Sequence, residues 1–578
     1  MPEAESTLAA GRGLQLLDYG LIAAYMVGTF GIAWWFGRKQ KNTDDYFVGG
    51  RSMPWFAVGL SILATLFSTL TYLGMPGEVI KHGTRIYFGY LTIPFTACVI
   101  TLLWIPFFMR LRLVSAYEYL ERRFSYPLRA VGASLFILLR LGWMSMVIYA
   151  ASDALNRVKG RDFESLAGND LYWIIGIIGV TAAVYTAIGG IQAMIWTDVL
   201  QCLLLLAGVL MAVFYVVWVD GTGPIDWYHS AASVRETVVD PKTGLRLADS
   251  TSPWYSLDLT ARMTVLTVMM NNFFWTTCTH GSDQVVLQRY FSTSSLKAAR
   301  KSYFINLGVD LTMAFLLAMC GLALAAFYVS RIQFDGKVFA TGGVGTPPDK
   351  LFQHFLGHQL PVGCAGLVIA AFLCDAIQTL QSGVNAITAV VTNDFIPRLR
   401  SGKPRILSDL TFARMAAFGI TAFVTGNAYF VNYIATKNGW TLVDMMPKFF
   451  NMFIGPLAGM FVVGMFCRRA RTFSVAGAAL VGIPVAVGWS WWPEITGSFP
   501  QMGIWWPRIA GPDVKPAWAL SIAVPCVTTI AVGFLLSFFE RRGPHAGEAY
   551  TWRSIIRRIP AEGPPENRPA DSPAPVAP

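Results

Sequence analysis

Ala370-Ala-Phe-Leu-Cys-Asp-Ala-Ile-Gln-Thr-Leu-Gln-Ser-Gly-Val-Asn385 lies inside an apolar run from 361 to 396, yet it carries Asp375, Gln378, Thr379, Ser382 and Asn385 at i, i+3, i+4, i+7 and i+10. That spacing is helical and sets all five polar residues on one face. The run is long enough to cross a bilayer core, which takes roughly 20 residues. Unpartnered polar groups are costly in hydrocarbon, so the stripe must face protein or water, and the chain must be a bundle of spanning helices. A single Ser or Thr would only tie neighbouring helices together. A carboxylate, two amides and two hydroxyls on one stripe point instead to the handling of an ion or solute.

Working outward, comparable apolar runs occur at 18–36, 53–76, 86–108, 130–151, 171–189, 193–219, 263–279, 303–330, 361–396, 409–434, 442–466, 473–493 and 518–540. We refer to these as spans one to thirteen. They predict an all-α polytopic membrane protein with about thirteen transmembrane helices. The composition agrees: of 578 residues, 54% are apolar and only 14% charged. The net charge of +11 is dispersed in short clusters between spans, which favours membrane topology over a nucleic-acid partner. Lys and Arg concentrate in 37–52, 109–129, 280–302, 397–408, 467–472 and the C-terminal tail. By the positive-inside rule those segments are cytoplasmic, which puts the N-terminus outside and the C-terminus inside the plasma (cell inner) membrane of a multi-pass protein. The domains are then an extracellular N-terminus (1–17), a transmembrane transporter domain (18–540) and a cytoplasmic Arg/Pro-rich tail (541–578) whose composition predicts disorder. The acidic start, Met1-Pro-Glu-Ala-Glu, has no basic n-region, so no cleaved signal is expected. The long external segment Asp220 to Arg262 reads as a cover rather than a domain.

No Gly-rich phosphate loop ending in Lys is present, and the six histidines are scattered, so neither ATP hydrolysis nor another enzymatic activity is expected. Nothing repeats as a pore filter would. The eight cysteines, with no Cys-x-x-Cys pair, read as packing residues. Two further spans turn polar. In the sixth, Thr197 and Asp198 lie one turn from Gln201. In the second, Ser61, Thr65, Ser68 and Tyr72 share a face ahead of Gly74-Met-Pro76-Gly77, where Pro and Gly loosen the helix and free carbonyls for a hard cation.

Tyr46-Phe-Val-Gly-Gly-Arg-Ser-Met-Pro-Trp55, Leu73-Gly-Met-Pro-Gly-Glu-Val79, Gly189-Gly-Ile-Gln-Ala-Met-Ile-Trp-Thr-Asp-Val-Leu-Gln201 and Asp283-Gln-Val-Val-Leu-Gln-Arg-Tyr290 resemble, in order and spacing from about residue 16 to 540, the sodium:solute symporter family. The resemblance implies a leucine-transporter-like core of two inverted five-helix repeats, spans two to six and seven to eleven, with spans two and seven broken. It implies a main sodium site from Ala64 and Phe67 in span two and Asp375, Gln378 and Thr379 in span nine. Relatives usually carry a small residue at the Asp375 position and a Ser-Ser or Ser-Thr pair at 378 and 379. A second sodium site, found in some relatives, falls on Asp198, Gln381 and Ser382.

Solute-contacting positions carried over are Leu66, Leu70 and Thr71 in span two, with Asn271, Asn272, Phe273, Phe274 and Trp275 as candidates in span seven. Arg140 in span four is the mid-span candidate as partner to a carboxylate, with a structural role the equal alternative. The expected function is a secondary active symporter that couples Na⁺ entry to uptake of a small organic solute, an organic anion among the candidates. The partners are that solute and the lipid bilayer, with Na⁺ as transported coupling ion and no organic cofactor. Two alternatives stand: proton coupling through a buried Asp375, and a transporter-like sensor that binds without transporting.

Overall fold

The computed structural model describes residues 14–40, 43–67, 69–158, 170–237, 255, 264–329, 339–341, 344–346, 351–396, 398, 409–438, 440, 445–492, 494–495, 518–540 and 546–558. Each expected span coincides with a helix, continuous or broken. Eight helices among the described residues are individually long and apolar enough to cross a membrane. Three further apolar helices are shorter, Trp55–Leu66, Asp170–Thr186 and Ala523–Ser537. Strands among the described residues are confined to a hairpin pairing Phe339–Thr341 with Val344–Thr346, between spans eight and nine.

The ninth span, Cys364–Phe395, is the centre of the bundle: 89% of its apolar window is buried, against 17% for the first span, Leu16–Gly37. The polar stripe therefore faces protein, and the first span faces lipid.

The first helix of each expected repeat is broken. Span two runs as Trp55–Leu66, loses helical geometry at Phe67 (φ −90°, ψ 83°), and resumes as Thr69–His82. The break lies upstream of the Gly74–Gly77 run, and Pro76 is accommodated inside the second half-helix. Span seven runs as Val265–Ser282, breaks at Asp283 (φ −84°, ψ 116°) and continues as Gln284–Phe291. Asp283 caps the new helix by accepting from the Val285 N–H at 3.0 Å, which satisfies one of the donors that any helix start leaves open. The segment 280–302, expected as a link between spans seven and eight, thus contains a fully buried half-helix, Gln284–Phe291.

Spans five and six, expected as two helices around a short turn, form Asp170–Asp220 with one non-helical residue, Gly190 (φ 62°, ψ −177°). The Gln40 amide donates to the Gly189 carbonyl at 2.6 Å beside that turn. In the external segment 220–262, Pro224–Thr237 is a helix lying on the eighth span and anchored by the buried Trp227; the following residues 238–254 lie outside the described residues.

The tail reading also needs correction for residues 546–558. Ala546–Tyr550 and Trp552–Arg558 are short helices, not disordered chain. The Trp552 indole donates to the Leu103 carbonyl at 3.0 Å and stacks on Phe466, while Arg468 pairs with Glu548 at 2.9 Å. An aromatic anchor among the Arg and Pro residues thus docks this part of the tail. The remaining tail residues, 541–545 and 559–578, and the N-terminal 1–13 lie outside the described residues.

Candidate functional site: a cavity at two helix breaks

A cavity of about 250 Å³ opens between spans two, three, four, seven, eight and eleven. Phe67 at the break, with Leu66 and Thr71 on either side, forms one wall. Asn271, Asn272 and Trp275 of span seven form another. Trp143, Phe450, His280 and Tyr303 add aromatic surface, and Asn306 and Asp310 of span eight contribute polar groups. The Asn272 amide is fixed, donating to the Gly89 carbonyl at 2.7 Å. Phe274 does not line the cavity and packs on the Leu520–Ala523 cluster. Phe273 stands edge-on to it at 5.4 Å. Leu70 lies in the second half-helix, but its side chain is outside the described residues.

Below the cavity, the ninth span packs against both halves of span two. Ala64 and Phe67 of span two are buried, as are Asp375, Gln378 and Thr379 of the ninth span. Asp375 accepts from the Gln201 amide at 2.5 Å. Both amide atoms of Gln378 and the hydroxyl of Thr379 are buried with no hydrogen-bond partner among the described residues. Buried polar atoms are nearly always satisfied. Buried, unpartnered oxygens such as those of Gln378 and Thr379 are of the kind a small hard cation takes as ligands.

Asp198 and Ser382 also come together, joined by a residue that span reading missed. The Arg289 guanidinium donates to Asp198 at 3.0 Å and to Ser382 Oγ at 2.8 Å through Nη2, and to Ser61 Oγ at 2.8 Å through Nε. Ser61 in turn donates to Asp198. One buried cation thus links the first half of span two, span six, the second half of span seven and span nine. Gln381 lies apart from this network, its amide against Gly189 and without a partner among the described residues. Arg140 is likewise taken: buried, it pairs with Asp283 at the break in span seven and does not line the cavity. The Arg289 network thus ties both broken helices to spans six and nine.

The family model for the sodium:solute symporter family matches residues 46–483. The chain belongs to that family. This symporter is 28% identical to the sodium/sialic acid symporter of Aliivibrio fischeri over 480 residues, covering 82% of this chain and 87% of that protein. It is 30% identical to the human sodium/iodide cotransporter, covering 82% of this chain and 70% of that one. The human sodium-coupled monocarboxylate transporter 1 is also 30% identical, with coverages of 83% and 73%. Its fold matches that of a Na⁺-coupled sialic acid symporter solved in a substrate-bound, outward-open state, at a TM-score of 0.71, 23% identity, and coverage of 92% of this chain and 99% of that one. The protein is therefore a multi-pass, Na⁺-coupled secondary transporter and not an enzyme.

Proposed function

We propose that this symporter uses Na⁺ entry to drive uptake of a small organic carboxylate across the plasma (cell inner) membrane, with the N-terminus outside and the C-terminus in the cytoplasm. Na⁺ sits between the carbonyls of Ala64 and Phe67 and the oxygens of Asp375, Gln378 and Thr379. The observation that carries this assignment is the pair of buried, unpartnered polar side chains Gln378 and Thr379 on the helix that packs against the break. The solute occupies the 250 Å³ cavity, in contact with Leu66, Thr71, Asn271, Asn272 and Trp275.

A carboxylate is favoured by the field at the break. The second half-helix, Thr69–His82, starts beside the cavity, and a helix start carries partial positive charge on its open N–H groups. Na⁺ bound at the break adds to that field. Arg140, already neutralised by Asp283, is not needed. A second Na⁺ between Asp198 and Ser382 would have to displace Arg289, which supports one Na⁺ per solute.

Proteoliposome uptake tests the proposal, with N-acetylneuraminate, lactate and iodide as probes under imposed Na⁺ or proton gradients. Uptake of a carboxylate probe driven by Na⁺ and not by pH is the expected result. Drive by the proton gradient alone would transfer the coupling role to Asp375. Na⁺-dependent binding without uptake under any gradient would identify a sensor and overturn the proposal.

A further inference from the structure

The solute cavity has one carboxylate, Asp310, and neither Lys nor Arg among its described lining residues. Asp310 lies one turn from Asn306 on the eighth span, so the two share a face. Tyr90 is hydrogen-bonded to Asp310. Asn271 of span seven lines the same cavity. The amide oxygens of Asn306 and Asn271 are both buried with no partner among the described residues, and Asn306 is only 7% exposed.

Three acceptors thus line one cavity: a carboxylate and two amide oxygens, with no Lys or Arg beside them. A protonated primary amine has the complementary chemistry, with one positive charge and three N–H donors. Such a cation would relieve two unsatisfied acceptors and neutralise a carboxylate that otherwise faces a mostly apolar cavity. A solute ending only in carboxylates or hydroxyls would offer Asp310 no cationic partner.

We infer that Asp310, Asn306 and Asn271 form a receptor for the ammonium group of the solute, so that the carried molecule is an amino-carboxylate whose carboxylate lies toward the break at Phe67 and whose amine lies toward span eight. The inference rests on the proposal that this cavity is the solute site. It goes further by naming a specificity residue and the zwitterionic class.

The test uses matched pairs that differ only at the amine: L-alanine with L-lactate, L-phenylalanine with phenyllactate, and the N-trimethylated form of each amino acid, which keeps the charge but has no N–H donors. Binding to the full-length protein in Na⁺ is read from tryptophan fluorescence, since Trp143 and Trp275 line the cavity. At least one primary amine should bind about tenfold or more tightly than its hydroxyl partner and its trimethylated form. In D310N that preference should vanish, and in D310E it should return in part. Retention of Na⁺-induced thermal stabilisation in D310N shows that the variant is folded. Equal binding of amine and hydroxyl partners, no binding by any amine, or an unchanged preference in D310N overturns the inference. Na⁺-driven uptake of lactate or N-acetylneuraminate without amine preference would reject this inference alone, whereas absence of Na⁺-driven carboxylate uptake would reject the proposed function beneath it.

Discussion

Nη2 of Arg289 lies 3.0 Å from a carboxylate oxygen of Asp198, and each side chain is only 1% exposed. The guanidinium also reaches Ser61 and Ser382, so four segments from both repeats share one charge pair. Removing one partner of such a pair strands the other in a low-dielectric interior, at a typical cost of about 3–5 kcal/mol.

Arg289→Met and Asp198→Leu should each lower the unfolding temperature sharply, and the double variant should recover much of the loss. Thermal unfolding in detergent or nanodiscs, read as a double-mutant cycle, measures the coupling. Losses that simply add would mean that the two charges do not compensate each other. The pair also holds the first half of span two against spans six and nine. Each single variant should therefore increase labelling, by a cytoplasmic-side thiol reagent, of a cysteine introduced on Trp55–Leu66.

Thr379 offers a sharper separation of ligand from scaffold. Its hydroxyl has no partner to lose, so Thr379→Ala should leave stability in Na⁺-free buffer unchanged or slightly raised. Loss of one oxygen ligand should raise the Na⁺ concentration needed for half-maximal thermal stabilisation by about tenfold, equivalent to about 1.4 kcal/mol. A purely structural threonine would give the opposite pattern, with lower stability in the absence of Na⁺ and an unaltered Na⁺ response.

Sequence made the ninth span legible because its polar residues recur at the helical period inside an apolar run, so both its helicity and its protein-facing side follow. The break at Phe67 was harder. Ala64 to Thr69 contains neither Gly nor Pro, whereas the conspicuous Pro76 sits inside a helix. Arg289 and Asp283 lowered the apolarity of 280–302 enough to leave it outside the spans. Their burial depends on Asp198 and Arg140, which lie 91 and 143 residues away in the chain, and no local pattern reports that pairing. Asp310 was missed for a related reason: a lone acid in span eight has meaning only when spans three and seven bring Tyr90 and Asn271 to the same cavity.

Gly190 separates spans five and six at φ 62°, a left-handed conformation that costs a non-Gly residue about 1–3 kcal/mol when the surroundings enforce it. An added Cβ would also strike the Gln40 amide, which is itself committed to the Gly189 carbonyl. Gly190→Ala should therefore be destabilising by at least about 2 kcal/mol, through strain and the lost bond together. Gly190→Ala combined with Gln40→Ala should recover the steric part only. Differential unfolding temperatures of the three variants separate the contributions, and a neutral Gly190→Ala would show that the turn can relax.

A pH effect is expected outside the spans, on the helix Leu351–His358 that precedes the ninth span. His354 and His358 stack at a centroid distance of 4.4 Å, and the Tyr328 hydroxyl is 2.8 Å from His354 Nδ1. Burial, reinforced by the neighbouring His358, pushes the pKa of His354 down from its ordinary value of 6.5 to about 4. The folded state therefore favours the neutral ring, and the unfolded chain binds the proton more readily. Stability from this site is fully present above pH 6.5 and is lost progressively as pH falls through that value towards 4. Hydrogen exchange of the Leu351–His358 amides should accelerate over that window, beyond the intrinsic rate change, in the wild type. In His354→Gln, which has no proton to gain, the acceleration should be largely absent. If the variant and wild type open equally as pH falls, the histidine pair does not control this helix.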